Sequence, residues 1–330
     1  MDIPTNLPMN ELEKTDIEMH LLGKEITDTK TKKDSSIKVK TQEELNKISR
    51  YLAGGRFQHI PIKTPDEIAK LKISGGICAK ILDEISPHVK PGATKKQLNE
   101  MIHQLICVKY DAEVDRLMTD AQTDASSRIS ACFGLNDIIV NAPPDDMPLK
   151  TGDLFGIDIS VRKNGWCGDT RKSWIIGEEA SPLARSLFAV SHQAMWLAIG
   201  LVKHGARVEM IANAVETYAK KHGFSMLKLP ITAGHSLGSM HMDGWLIPLY
   251  DTPLNKGRVL EKGMVITLET FMSTGDGEAY ILNDENGSAI TKDGALACYW
   301  EHAVAVTETG CEILDLRAGE KASWAELPFP

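Results

Sequence analysis

Apolar residues recur at the spacing of an amphipathic helix in four stretches of the chain. Thr64, Pro65 and Glu67 precede the first stretch at the N-cap, N1 and N3 positions, which is the arrangement of a capping box. The break at Pro91-Gly92 predicts the end of that helix. The other three predicted helices cover residues 94–108, 181–204 and 209–221. The helices therefore come as two pairs, separated by a long region without helical spacing.

Strand-like apolar runs fill that region and the C-terminal part of the chain. In Leu149–Gly177, the runs LFGIDISV and KSWIIG flank the turn-like segment KNGWCGD, which predicts a β-hairpin. Looser alternation over residues 129–140, followed by a turn at 141–146, predicts further strands. Later strands are predicted at 264–272, about 280–282 and 300–306.

Two segments occur twice, in the same order. VKPGATKKQLNEMI resembles VKHGARVEMIANAV at an offset of 113 residues, and LKTGDLFGIDIS resembles LEKGMVITLETF at an offset of 111. The repetition predicts two similar halves, at about 62–177 and 181–318, that pack around a pseudo-twofold axis. The predicted fold class is α/β, in the α+β sense.

The first 56 residues differ in composition from the rest. They are polar, rich in Lys, Asp, Glu and Thr, and show no sustained apolar period, which predicts a partly flexible N-terminal extension. The segments 10–22 and 41–52 are compatible with short helices. Residues 57–330 are predicted to form one catalytic domain, with a polar surface loop at 111–128.

Charge and cysteine usage narrow the functional class. The chain has 330 residues and a net charge of −8, so it lacks the basic surplus that phosphate contacts with nucleic acid require. Its first residues do not resemble a signal peptide, and its six cysteines include no CxxC pair. The longest apolar run, about 194–202, is shorter than the roughly 20 residues that span a bilayer. These features predict a cytoplasmic protein with reduced thiols, without a nucleic-acid or membrane partner.

Four carboxylates are candidates for one site. Asp158 and Asp169 flank the predicted hairpin, where burying an aspartate is costly unless its charge is compensated. The duplication aligns Glu269 with Asp158, and Glu301 follows in YWEHAVAV. Carboxylates that lie close together where the two halves meet repel each other strongly, so either some are protonated or cations lie between them. Two bridged divalent ions would also supply chemistry. His235, in the glycine-flanked segment GHSLG, is a candidate fifth ligand.

The segments GIDISV, GDTRKSWIIGE, GHSLG, VITLETF and YWEHAVAVTETGCEIL together resemble the methionine aminopeptidases, as a divergent type I-like member. The resemblance covers roughly residues 62–317, and the spacings of 11, 66, 34 and 32 between the five candidate ligands fit the family pattern. It implies the pita-bread fold, with two pseudo-symmetric halves and a central antiparallel sheet covered by helices. It also implies a hydrolase that removes an N-terminal residue, most simply methionine, through a water that bridges two divalent metals.

The resemblance assigns a role to each ligand. Asp158 would chelate one metal, Asp169 and Glu301 would bridge, and His235 and Glu269 would complete the other. Glu269, or a neighbouring glutamate of the metal centre, would also take the proton of the bridging water. The implied metals are manganese, iron(II) or cobalt. Four carboxylates and one imidazole suit these ions without singling out zinc, which is also compatible.

Two positions depart from the family pattern. Asn141 stands where the family has a histidine that assists substrate binding and the tetrahedral intermediate. An amide donates a hydrogen bond but does not transfer a proton near pH 7. The family's second auxiliary histidine falls on Met242, so the preceding residue, His241, would take this catalytic role only if the loop is shortened.

The predicted substrate is a peptide N-terminus. Cys132 falls on a cysteine of the family's apolar pocket, and Phe133 and Trp300 are candidates for lining it, with Asn141 as a further substrate contact. Action on nascent chains would imply association with the ribosome.

Two other functions compete with this prediction. Because both auxiliary histidine positions are changed, the same metal centre would also suit a specialised enzyme that acts on a small molecule. Its substrate would be a non-peptide compound with an amide or other C–N bond, or a biosynthetic intermediate. A non-catalytic binding module is the third hypothesis, although such proteins typically lose metal ligands and this chain keeps all five.

Overall fold

The computed structural model describes residues 39, 41, 59–115, 129–228, 233–282, 284 and 287–320. Within the predicted N-terminal extension, Val39 forms an antiparallel bridge with Leu282. The possible short helices at 10–22 and 41–52 lie outside the described residues, apart from Thr41, and so does most of the predicted loop at 111–128. The domain boundary near residue 56 stays a prediction.

The described α-helices occupy the four stretches predicted from the apolar spacing. They are α1 (Pro65–Ile85), α2 (Lys95–Gln104), α3 (Pro182–Leu201) and α4 (Val208–Lys221). The predicted capping box is present, because the Thr64 hydroxyl accepts from the Glu67 N–H and the Glu67 carboxylate accepts from the Thr64 N–H. α1 ends before the predicted position because Pro87 has no N–H to donate to the helix. None of these helices combines the length and the apolar character that crossing a bilayer requires.

The strands form one large antiparallel sheet and two small ones. The described strands are β1 (Glu113–Val114), β2 (Cys132–Leu135), β3 (Ile138–Ala142), β4 (Leu154–Lys163), β5 (Trp166–Ile175), β6 (Ser225–Met226), β7 (Gly234–His235), β8 (Leu246–Ile247), β9 (Val265–Glu269), β10 (Met272–Ser273), β11 (Ala279–Ile281), β12 (Ala289–Thr291), β13 (Ala297–Cys298), β14 (Glu301–Val306) and β15 (Cys311–Ile313). The large sheet has the order β11-β12-β3-β2-β4-β5-β14-β15, with β1 paired to β4 and β9 paired to β14. The small sheets are β13-β10-β6 and β7-β8.

β4 and β5 form the predicted β-hairpin at the centre of the large sheet. Ten residue pairs join the two strands. Asn164 and Gly165 connect them at φ 53° and 79°, as a two-residue type I′ turn requires. Because this long hairpin has a single register, the carboxylates on its two strands hold fixed relative positions.

The helices cover one face of the sheet, and the opposite face carries the candidate site. Ile157 and Ile159 of β4 are buried in an apolar core with α1 and α2, so the intervening Asp158 points to the opposite face. A second core packs α3 and α4 against β9 and β14. At Gly168 of β5, α1 comes so close that a Cβ would lie 2.4 Å from the backbone nitrogen of Gly75.

The two halves of the chain repeat the same local hydrogen bonds. The Gly92 N–H donates to the Leu149 carbonyl over 2.9 Å, and the equivalent Gly205 N–H donates to the Leu260 carbonyl over 2.8 Å. Two further pairs of contacts repeat, namely Gly152–Ile176 with Gly263–Val306, and Thr94–Pro148 with Arg207–Val259. The same local contacts thus occur at corresponding positions of the two predicted halves. The halves meet in the large sheet, where β5 of the first half pairs with β14 of the second.

Candidate metal centre

Five side chains form a row across the face of the large sheet that is turned away from the helices. The strand register pairs Cys132 with Asp158, Asp158 with Arg171, Arg171 with Glu301, and Glu301 with Glu269. Directly paired residues of an antiparallel sheet point to the same face. The row therefore combines three predicted metal ligands from both halves of the chain.

Asp169 and His235 complete the predicted ligand set. Asp169 lies on the same face of β5 as the row, because it is two residues from a member of it. His235 lies on β7. This strand can approach β9 closely because Gly234 has no Cβ; a Cβ there would lie only 2.3 Å from the Thr267 carbonyl oxygen. His235 Nε2 lies 3.4 Å from Asp169 Oδ2 and 3.9 Å from Glu269 Oε1. All five predicted ligands are thus brought together.

Hydrogen bonds orient the imidazole of His235. Its backbone N–H donates to Thr267 Oγ1 over 2.9 Å, and the Thr267 hydroxyl donates to Glu269 Oε1 over 3.0 Å. The ring Nδ1 lies 3.1 Å from the Ser236 carbonyl oxygen. A proton on Nδ1 that is donated to this carbonyl leaves the lone pair of Nε2 facing the carboxylates, as in a neutral metal ligand.

The donor atoms fit a pair of cations. Among the described residues, three groups have ligand atoms that all lie within 4.8 Å of one another: Asp158–Asp169–Glu301, His235–Glu269–Glu301 and Asp169–His235–His241. Asp169, Glu301 and His235 each belong to two of these groups, and of the three only the carboxylates have two oxygens with which a ligand can bridge two ions. Both carboxylate oxygens of Glu301 are buried without a hydrogen-bond partner, which is costly unless a cation compensates the charge. Carboxylates with imidazole are donors that suit manganese, iron and cobalt.

Burial and mutual repulsion perturb the carboxyl groups. Burial, followed by the charge of Asp169, raises the pKa of Asp158 to about 7. Burial likewise raises the pKa of Glu269 and of Glu301 well above the usual range, and neighbouring carboxylates add to the effect. Burial acts in the same direction on Asp169, but His241 and His235 outweigh it, so the pKa of Asp169 is lowered. Divalent cations would remove the repulsion and allow all four groups to ionise.

His241 lies beside the five predicted ligands. Its Nε2 is 3.3 Å from Asp169 Oδ2, and its ring centroid is 4.7 Å from that of His235. The loop between β7 and β8 therefore brings His241 to the metal centre, although the family pattern places the auxiliary histidine at the following position, Met242.

Comparison with known proteins identifies the family of this chain. The sequence profile of metallopeptidase family M24 matches residues 69–308. The chain belongs to metallopeptidase family M24. Methionine aminopeptidases from Salmonella typhimurium and Escherichia coli are 33% and 31% identical to it over 259 residues, which is 78% of this chain and 94% of each of theirs. The protein is therefore a methionine-aminopeptidase-like hydrolase of family M24, and the family implies the use of divalent metal ions.

Solved structures of related proteins agree with this M24 assignment. Methionine aminopeptidase from Rickettsia prowazekii superimposes with a TM-score of 0.70 at 30% identity, over 78% of this chain and 100% of that one. The enzyme from Thermotoga maritima gives a TM-score of 0.70 at 27% identity, over 78% and 99%. Prolidase from Pyrococcus furiosus shares the fold, with a TM-score of 0.59 at 18% identity. The predicted pita-bread fold is confirmed.

Two of the predicted substrate contacts lie at the candidate metal centre. Cys132 stands next to Asp158 in the row, and its thiol donates to Asn141 Oδ1 over 3.0 Å. Burial raises the pKa of Cys132, so the thiol stays protonated as a donor. Asn141 adopts φ 61°, a left-handed conformation that asparagine tolerates. β3 nevertheless continues through Ala142, beyond its predicted end at residue 140.

Phe133 and Trp300 lie on the opposite side of their strands. Phe133 alternates with the site-facing residues of β2 and is fully buried in the core beneath α1 and α2. Trp300 alternates with Glu301 and packs against Phe188 and His192 of α3, at ring-centroid distances of 5.1 and 4.4 Å. These positions do not support the prediction that Phe133 and Trp300 line the substrate pocket.

Tyr299 is a site residue that the sequence reasoning missed. Its hydroxyl donates to Asp158 Oδ2 over 2.9 Å. The guanidinium carbon of Arg171 lies 3.5 Å from the centroid of the Tyr299 ring. The Arg171 side chain fits there because Gly156 has no Cβ; a Cβ at that position would lie only 2.0 Å from Arg171 Nη2. The available signal was the period of two along the strand, which places Tyr299 on the same side as Glu301.

We expect Tyr299→Phe to weaken metal binding about tenfold to hundredfold, because the lost hydroxyl holds the Asp158 carboxylate in position. Competition between the protein and a chelator for Mn(II) measures the change. Tyr218→Phe is the matched control, because it removes a hydroxyl that donates to Gln193 over 2.6 Å in the α3–α4 pair. Equal affinities in the two variants would show that Asp158 does not depend on Tyr299.

Proposed function

We propose that this enzyme removes the N-terminal residue of a peptide, most simply methionine, with two divalent metal ions held by Asp158, Asp169, His235, Glu269 and Glu301. The observation that carries the proposal is the buried, unpartnered carboxylate of Glu301, which lies where two groups of donor atoms meet. A pair of cations accounts for that carboxylate. The identity to methionine aminopeptidases over most of both chains supports the reaction type.

Each ligand has a role in this proposal. Asp158 would hold one ion, His235 and Glu269 would hold the other, and Asp169 and Glu301 would be shared between them. The two ions would polarise the scissile carbonyl and acidify a water. Glu269 would take up the released proton on its carboxylate; it is the more exposed of the two buried glutamates, at 7% against 1% for Glu301.

The substrate side chain is assigned to the apolar group beside Cys132. Cys132 packs against a buried cluster that includes Phe271 and Tyr299 from the second half of the chain. Aromatic rings and a thiol are favourable neighbours for a thioether. Asn141 accepts from Cys132 through Oδ1, so its Nδ2 amide group is the donor left for a substrate carbonyl.

Metal identity and location belong to the same proposal. Manganese, iron(II) and cobalt suit the donor set, and zinc is compatible with it. All six cysteines are free thiols, which supports a reducing compartment, and we place the enzyme in the cytoplasm. Association with the ribosome stays a prediction that accompanies action on nascent chains.

Dependence on a free α-amine and on a peptide substrate tests the proposal. The metal-loaded enzyme is expected to release methionine from Met-Ala-Ser and to leave N-acetyl-Met-Ala-Ser intact. The alternative of a small non-peptide substrate is not favoured, because the relatives identified by the comparisons are peptidases. Hydrolysis of simple amides in preference to the peptide would contradict the proposal and favour that alternative.

We expect Asn141→His to raise kcat/KM for Met-Ala-Ser about tenfold or more, because histidine adds proton transfer at a position where an amide offers a hydrogen bond alone. Histidine tolerates the left-handed backbone at this position. Asn164→His, at φ 53° in the exposed turn between β4 and β5, is the control. A fall in activity for Asn141→His would instead mark Asn141 as adapted to another substrate.

A further inference from the structure

Backbone hydrogen bonds and an ion pair hold the loop that carries His241 beside the candidate metal centre. The Ser236 N–H donates to the Trp245 carbonyl over 2.9 Å, and the Asp243 N–H donates to the Ser236 carbonyl over 3.0 Å. The Asp243 carboxylate also pairs with the buried ammonium group of Lys63. These contacts close the loop on itself, so the position of His241 is a property of the fold.

The imidazole of His241 occupies a ligand position. Its Nε2 lies 3.3 Å from Asp169 Oδ2, and His235 Nε2 lies 3.4 Å from the same oxygen. Donors about 2.1 Å from one ion lie at most about 4.2 Å apart. Both distances to Asp169 lie within this limit, and the ligand atoms of His235, His241 and Asp169 form one group with no separation above 4.8 Å.

Asp115 faces the other nitrogen of the same ring. His241 Nδ1 and Asp115 Oδ2 are 3.5 Å apart, and both atoms are buried. Asp115 is itself fixed, because its Oδ1 pairs with Arg162 Nη2 at 2.8 Å and its N–H donates to the Ser160 carbonyl over 3.1 Å. A proton on Nδ1 directed at this carboxylate leaves the lone pair of Nε2 facing Asp169. This is the carboxylate–histidine–metal arrangement that orients metal-bound imidazoles.

We propose that His241, oriented by Asp115, is the sixth protein ligand of the two-ion centre and binds the same ion as His235 and Asp169. The assignment rests on the proposed dinuclear function, and it replaces the role of substrate contact that the family pattern implies for this position. The two metal positions then differ in chemistry. One has two imidazoles, which suits cobalt and iron(II), whereas the other has only the carboxylates of Asp158, Asp169 and Glu301.

Proton NMR of the Co(II)-loaded full-length protein tests the sixth donor independently of activity. An imidazole bound through Nε2 keeps an exchangeable Nδ1 proton, whose signal the paramagnetic ion shifts far from the diamagnetic range. We expect two such signals in the wild-type protein and one in His241→Ala. The matched control, His222→Ala, changes an exposed histidine at the end of α4 and should keep both signals.

The failure of this inference and the failure of the proposed function give different results. A wild-type protein that binds two Co(II) ions and shows a single shifted exchangeable signal would overturn the role of His241 and leave the dinuclear centre intact. A protein that binds no Co(II) would overturn both.

Asp115→Asn tests the orienting carboxylate separately. We expect this variant to keep two shifted signals and to bind Co(II) about tenfold to hundredfold more weakly, because an amide supports the imidazole less well than a carboxylate does. Unchanged affinity would show that Asp115 has no part in positioning His241.

Discussion

Replacing Asp169 with asparagine is expected to abolish tight binding of at least one metal ion and to lower methionine release by more than about a hundredfold, because even residues that only orient a metal ligand contribute about tenfold to hundredfold. Asp169 is 2% exposed, and its Oδ2 lies within 3.4 Å of both histidines of the centre. An amide occupies the same volume but removes the negative charge that a bridging ligand supplies. Metal content after dialysis and the rate of methionine release from Met-Ala-Ser measure the two effects.

Two further variants sharpen the Asp169 experiment. Ser160→Ala removes the hydroxyl that donates to Asp169 Oδ1 over 2.7 Å, so a smaller loss of metal affinity is expected. Asp146→Asn makes the same chemical change at an exposed aspartate that pairs with Lys96, and it should retain full metal content and activity. If Asp169→Asn kept two metals and full activity, the bridging role of Asp169 would be wrong.

Arg317→Met is expected to lower the free energy of unfolding by about 3–5 kcal/mol, the usual cost of breaking a buried ion pair from one side. Arg317 Nη1 donates to Thr170 Oγ1 and to the carbonyls of Arg171 and Glu301, over 3.0, 2.9 and 3.4 Å. Its guanidinium also pairs with Glu320 at 2.9 Å. Methionine leaves these acceptors unpaired behind β5 and β14, the two strands that carry Asp169 and Glu301, the proposed bridging carboxylates. Urea unfolding at a fixed metal concentration measures the loss.

Lys262→Met is the matched control for this experiment. Lys262 and Glu308 form an ion pair at 3.8 Å in which both side chains are about two-thirds exposed. Exposed pairs of this kind contribute at most about 1 kcal/mol, so the control should unfold near the wild-type urea concentration. A similarly small change for Arg317→Met would contradict the view that the cluster around Arg317 holds these strands together.

The elements of the fold that follow from local chemistry were predictable from the sequence. The capping box of Thr64 and Glu67 specifies the start of α1, and Asn164-Gly165 specifies the turn of the central hairpin. Internal repetition and the family resemblance supplied the five ligands. Four of the proposed ligands converge because each half contributes strands to the same antiparallel sheet, and His235 joins them from β7 of the small β7–β8 sheet.

Contacts between residues far apart in the sequence were not predictable in the same way. Tyr299 reaches Asp158 across 141 residues, and no local pattern links the two. Asp115 faces His241 only because β1 pairs with β4 and the β7–β8 loop folds over the same place. Trp300 was assigned to the pocket by its chemistry, although strand alternation beside Glu301 directs it into the core.

The central claim is that this chain holds two metal ions that make it an aminopeptidase. Its most direct test strips the full-length protein of metal, reloads it anaerobically with Fe(II), Mn(II) or Co(II), and follows bound metal together with methionine release from Met-Ala-Ser. We predict that two equivalents bind tightly and that methionine is released with at least one of these ions. Two tightly bound equivalents without methionine release from any reloaded sample would contradict the claim.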